Sequence, residues 1–133
     1  MNIFINEESE TISYLLQEIV YECIEEYNIE TFNIDAHNNA EDTLDAIREC
    51  GDFDLLFTAI HNGNLDEATM LELLLREHPK KISKIFVIIR VDQMHLMQEF
   101  KSLGAKRFIK KPINIENFKH HVIPEIRKIV RSM

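Results

Sequence analysis

The sequence predicts an α/β fold: a five-stranded parallel sheet with helices on both faces, a three-layer sandwich. Three observations predict it. Short apolar runs alternate five times with amphipathic stretches along the chain. One run, Ile85–Ile89, is apolar throughout, as a strand covered on both faces of a parallel sheet must be. The chain has 133 residues, 45% of them hydrophobic, enough to bury such a core as a single domain over residues 1–133. Successive strand–helix–strand units then imply right-handed crossovers.

The elements follow in order. Asn2–Asn6 is a short apolar strand. Ile12, Leu15, Leu16, Ile19, Val20, Cys23 and Ile24 recur at three/four spacing, predicting an amphipathic helix over roughly residues 9–26. Glu30–Ala36 reads as the second strand. Asn38 and Asn39 offer N-caps to a helix carrying Leu44 and Ile47, which stops before Gly51. Asp54–Ile60 is the third strand. His61-Asn62-Gly63-Asn64 is a turn, and Asp66 caps a third helix that runs through Met70, Leu71, Leu74 and Leu75 toward Pro79. After Ile85–Ile89, Asp92 is expected to cap a fourth helix bearing Met97, Phe100 and Leu103, with Gly104 as its left-handed stop. Arg107–Lys110 is the fifth strand, and Asn114 caps a last helix with Phe118, Val122, Ile126, Ile129 and Val130 on one side. Pro124 lies inside that helix and is expected to kink or break it.

Composition excludes several functions. Three Gly and three Pro do not make a fibrous or linker-rich chain, and no apolar run approaches the about 20 residues a membrane span needs. Nothing at the N-terminus reads as a secretion signal, so the cytoplasm is the expected compartment. Cys23 and Cys50 are expected to be free and reduced. The six histidines show no metal-ligand spacing, so no metal site is expected. Charge is uneven: residues 1–100 carry −15 and residues 101–133 carry +7. The basic C-terminal quarter fits a protein partner better than nucleic acid, because the whole chain, at −8, repels phosphate backbones.

Sites in an open α/β sheet form at the carboxyl ends of the strands. The residues there are Asn6-Glu7-Glu8, Thr58-Ala59-Ile60-His61, Arg90-Val91 and Lys111-Pro112. This arrangement, with Leu103-Gly104-Ala105-Lys106-Arg107-Phe108-Ile109-Lys110-Lys111-Pro112 as its most specific stretch, resembles the response-regulator receiver domain, a CheY-like, flavodoxin-like fold. Asp54-Leu55-Leu56-Phe57-Thr58-Ala59-Ile60 is similar to the family's acceptor strand, and Leu65-Asp66 to the loop after it. The resemblance covers nearly the whole chain.

That family takes a phosphoryl group onto an aspartate. An acidic pair holds Mg²⁺, and a hydroxyl and a lysine contact the phosphoryl oxygens. Carried over residue by residue, the acidic pair becomes Asn6 and Glu7, with Glu8 beside them; the acceptor becomes Ala59, the hydroxyl Arg90, and the lysine is Lys111. Phe108 falls at the family's aromatic switch position, where it is expected to be locked. The resemblance also implies a cis bond before Pro112. Asp54 cannot replace the missing acceptor, being five residues and about 16 Å up the strand. Arg90 is expected to pair with Glu7 or Glu8 where a metal and phosphoryl group would sit.

The expectation is therefore a degenerate receiver, not an enzyme and without Mg²⁺. It would act in two-component signalling as a phosphorylation-independent interaction or dimerisation module. Its partner would be a signalling kinase, an output protein or a second copy. The binding face implied by the resemblance carries Lys106, Arg107, Lys110, Lys119, Arg127 and Lys128. Two alternatives stay open: an anion or small-ligand sensor built on Arg90 and Lys111, or the receiver of a longer transcriptional regulator cut after its first domain. His61 as a phosphoryl acceptor is a further, weaker enzyme reading.

Overall fold

A computed structural model describes residues 1–29, 31–61 and 66–133. Five strands form one parallel sheet: β1 (Asn2–Asn6), β2 (Asn33–His37), β3 (Leu55–Ala59), β4 (Ile85–Ile89) and β5 (Arg107–Lys110). They lie in the order β2-β1-β3-β4-β5. The helices are α1 (Glu10–Glu25), α2 (Ala40–Cys50), α3 (Asp66–Glu77), α4 (Met97–Ser102) and α5 (Ile115–Arg131), with 3₁₀ turns at Ile82–Lys84 and Val91–Leu96. The α/β sandwich expected from the alternation is the architecture found.

Strand pleating sorts the core into two layers. Ile3, Ile5, Leu55, Phe57, Phe86, Ile88 and Ile109 pack beneath α1 and α5. Phe4, Leu56, Val87 and Ile89 point the other way and pack with Ile47, Leu71, Leu74 and Phe100. β3 and β4 are buried at every position, as central strands covered on both faces must be. Cys23 is buried in the first layer, and burial pushes its thiol up to about 11, with Lys119 pulling the other way; Cys50 is exposed.

Local signals placed most boundaries. Asn39 and Asn114 cap α2 and α5 by accepting from Asp42 N and Asn117 N. Ser9 does the same for α1 through Ile12 N. Gly51 ends α2 in the left-handed region at φ 93°, and Gly104 holds φ 112° after α4. Asp54 stays at the amino end of the sheet, where its Oδ2 accepts from Asn2 N at 2.6 Å.

Three expectations need correction. β2 begins at Asn33 rather than Glu30, which lies outside the described residues. Its ladder starts where Asn2 pairs with Asn33, and β1 has only Met1 before that point to offer. The fourth helix is not capped by Asp92: a 3₁₀ turn capped at Arg90 leads into a helix of only six residues. Gln93 causes this, because its buried side chain bonds both Arg90 N (3.1 Å) and Ile60 O (2.6 Å) and tightens the turn. Pro124 does not break α5, which runs continuously through it. Pro124 faces solvent, so the hydrogen bond it cannot make is lost on the wet side while Phe118, Val122 and Ile126 hold the dry side to the sheet. The turn read at His61–Asn64 lies mostly outside the described residues, which resume at Asp66.

Candidate functional site

The carboxyl ends of β1, β3 and β5 bring Asn6, Glu7, Thr58, Ala59 and Lys111 together, because Asn6 lies beside Thr58 and Ile89 beside Lys110 in the ladder. Asn6, Glu7, Thr58 and Ala59 are buried. Lys111 reaches across the sheet end, and its Nζ lies 2.6 Å from Glu7 Oε1, an ion contact out of line for a hydrogen bond. Glu7 Oε2 accepts from Ser9 N at 2.9 Å. Glu7 is 1% exposed and Lys111 12%, so the pair is nearly dry. The Lys111–Pro112 bond is cis.

The sequence reading missed a second carboxylate. Glu67, in the first turn of α3, is fully buried and turned inward over the end of β3. Its Oε1 accepts from His61 N at 3.1 Å, and its Oε2 accepts from Asn6 Nδ2 at 3.3 Å and lies 3.4 Å from His61 Nδ1. Asn6 Nδ2 also donates to Thr58 Oγ1 at 3.0 Å. The acidic first turn of α3 is the sequence signal that points to Glu67, since a carboxylate there is favoured by the helix amino end.

Arg90 does not pair with Glu7 or Glu8. Its guanidinium turns outward along its own turn, with Nε 3.0 Å from Asp92 Oδ1, while Lys111 already occupies Glu7. Arg90 and its hydrogen bond hold the Asp92 carboxyl below its ordinary value. Glu8 is exposed. Phe108 is half-buried with the Lys101 ammonium 5.9 Å from its ring centroid.

The basic residues expected to face a partner divide into two groups. Arg107 and Lys128 bond Glu125, a buried carboxylate of α5 that also takes Lys84 Nζ at 2.8 Å. Lys119 reaches Glu22 of α1 at 3.6 Å. Lys106, Lys110 and Arg127 are exposed and make no ion pair among the described residues.

The donor set fits Mg²⁺ poorly. Asn6 presents its amide N–H groups to Thr58 and Glu67, Glu7 carries Lys111, and Ala59 contributes no side-chain oxygen. Asn6 Oδ1 is buried without a partner, but the one or two carboxylates that a largely hydrated Mg²⁺ needs are already engaged, Glu7 by Lys111 and Ser9 N and Glu67 by His61 N and Asn6. Among the described residues no three His, Cys, Asp or Glu side chains converge as metal ligands.

Solved structures supply the fold comparison. A response-regulator receiver domain from Clostridium thermocellum aligns with a TM-score of 0.76 at 13% identity, over 99% of this chain and 98% of its own. The chain has the receiver-domain fold. A sensor protein from Polaromonas sp. JS666 aligns with a TM-score of 0.73 at 16% identity, over 96% of each chain. NtrX from Brucella abortus aligns with a TM-score of 0.75 at 20% identity over 98% of this chain, which spans 28% of NtrX. No protein-family model and no curated protein matches the sequence. Among the described residues no helix is long and apolar enough to cross a membrane.

Proposed function

We propose that this chain is a receiver-fold interaction module that works without phosphoryl transfer, within two-component-type signalling. The observation that carries the reading is the Glu7–Lys111 contact at 2.6 Å beside Ala59. A carboxylate and a lysine that would each meet an incoming ion or phosphoryl group meet each other, and the residue between them has only a methyl group. Glu67 adds a built-in occupant, bonded to Asn6 and His61. Such buried polar networks fix one arrangement when their members are paired. The chain is therefore not an enzyme in this reading and carries no Mg²⁺. Its output is docking, to a kinase, an output protein or a second copy.

The anion-sensor alternative is weaker for the same reason. Lys111 is neutralised by Glu7, and Arg90 bonds Asp92. His61 as an acceptor is disfavoured too: it is 8% exposed and its Nδ1 is held near Glu67. A Mg²⁺ titration followed by amide NMR and calorimetry tests the reading. No saturable heat and no shifts at Asn6, Glu7 or Lys111 are expected up to about 10 mM, well above the about 1 mM at which even weak divalent-cation sites fill. Saturable binding with shifts at Glu7 overturns it.

A further inference from the structure

We propose that two copies of this chain pair through the face formed by α1 and α5, with the acidic α1 of each lying against the basic α5 of the other. The inference rests on the reading above for the idea that docking is the output, and it names the partner and the surface.

α1 has sixteen residues and no Lys or Arg among them. Glu10, Tyr14, Glu18, Tyr21 and Glu25 recur at steps of four, four, three and four, which places them on one helix face. All five are exposed, Tyr14 by 65% and Tyr21 by 50%. Glu22 and Glu26 have Lys119 of α5 beside them, whereas Glu10, Glu18 and Glu25 make no ion pair among the described residues. Among the described residues the stripe thus carries three carboxylates with no cation beside them, which a cationic surface would complement.

α5 offers the complement. His120, Pro124, Arg127 and Arg131 recur at steps of four, three and four and are exposed. Arg127 and Arg131 make no ion pair among the described residues. α1 and α5 lie side by side on one face of the sheet, sharing the core of Ile3, Ile5 and Phe57. A face that is acidic along one helix and basic along its neighbour matches itself after a two-fold rotation about an axis between them, forming each α1–α5 contact twice. The tyrosines between the carboxylates supply apolar contact area and ring faces for the arginines.

Size sets the strength. Helices of sixteen and seventeen residues run about 24–26 Å, and two of them side by side present about 500 Å². That is below the about 800 Å² per partner of a standard stable interface. The pairing is accordingly weak and sensitive to salt.

Sedimentation equilibrium of the full chain at about 0.1 M and about 0.5 M NaCl tests this, the lower salt already screening the −8 of each copy beyond about 10 Å. The expected result is a dimer at low salt whose dissociation constant rises at least about tenfold at high salt. Glu18→Lys/Glu25→Lys and Arg127→Glu/Arg131→Glu each yield a monomer, and a one-to-one mixture of the two restores a dimer, because each mixed contact again joins opposite charges. All four residues are exposed, so both variants keep the circular dichroism of the parent. A wild-type chain that stays monomeric at low salt, a dimer indifferent to both charge reversals, a mixture that stays monomeric, or assembly beyond two copies overturns the proposal. The Mg²⁺ titration is independent of this outcome: a monomer that ignores Mg²⁺ refutes the pairing and leaves the docking module standing.

Discussion

Glu67→Ala removes the carboxylate that closes the site from inside. Glu67 is fully buried and its two oxygens serve His61 N, Asn6 Nδ2 and His61 Nδ1 at 3.1, 3.3 and 3.4 Å. Asn6 keeps Thr58 as an acceptor, but the His61 backbone N–H loses the acceptor described for it. A buried donor left without a partner costs about 1–3 kcal/mol, and the space vacated by the side chain adds to this. Relief of the carboxylate's own desolvation offsets part of the loss. The net expectation is a destabilisation of about 2–3 kcal/mol, or about 10 °C in Tm for a domain of this size. Differential scanning calorimetry and urea unfolding followed by circular dichroism measure it, with Glu72→Ala as the comparison, since Glu72 makes only an exposed ion pair with Arg76. If Glu67→Ala lost no more stability than Glu72→Ala, the inward carboxylate would be holding nothing.

The other buried charges give further predictions. Lys111→Met leaves Glu7 dry and without its cation, so urea unfolding should show a loss of about 3 kcal/mol; a change below about 0.5 kcal/mol would contradict the pairing. Glu125→Gln probes pH. Burial pushes the Glu125 carboxyl up, but the Lys84 hydrogen bond, the charges of Lys84 and Arg107 and the Lys128 hydrogen bond outweigh it and hold it below its ordinary value of 4.5. A depressed native pKa stabilises above the unfolded value, and that contribution fades as pH falls through the folded one. The stability gap between wild type and Glu125→Gln should therefore be flat above about pH 6 and close on acidification below about pH 4.5; a gap unchanged down to about pH 3 would refute it.

The sequence carried the framework because the framework rests on local signals. Ile85–Ile89 is apolar throughout and is a fully buried central strand. Asn39, Asn114 and Gly104 act through backbone bonds or dihedrals within a few residues of themselves. What escaped depends on direction across space. The sequence predicts Arg90 paired with Glu7 or Glu8, and it instead bonds Asp92, because Gln93 anchors the turn inward on Ile60 O. Glu67 reads as an ordinary acid in a helix first turn, and its partners Asn6 and His61 reach it only through the tertiary fold. Glu125 draws Lys84, 41 residues earlier, together with Arg107, a convergence with no signature in spacing. Pro124 carries an intrinsic cost inside a helix, and the buried side of α5 outweighs it.

The central claim is that no side chain at the carboxyl end of the sheet accepts a phosphoryl group. Incubating the chain with acetyl phosphate and Mg²⁺ and weighing it intact addresses this most directly. The account predicts an unchanged mass at every time point. A gain of one phosphoryl group at any time point, even a transient one, abolished by His61→Ala or by substitution of Glu7 or Glu67, would contradict it.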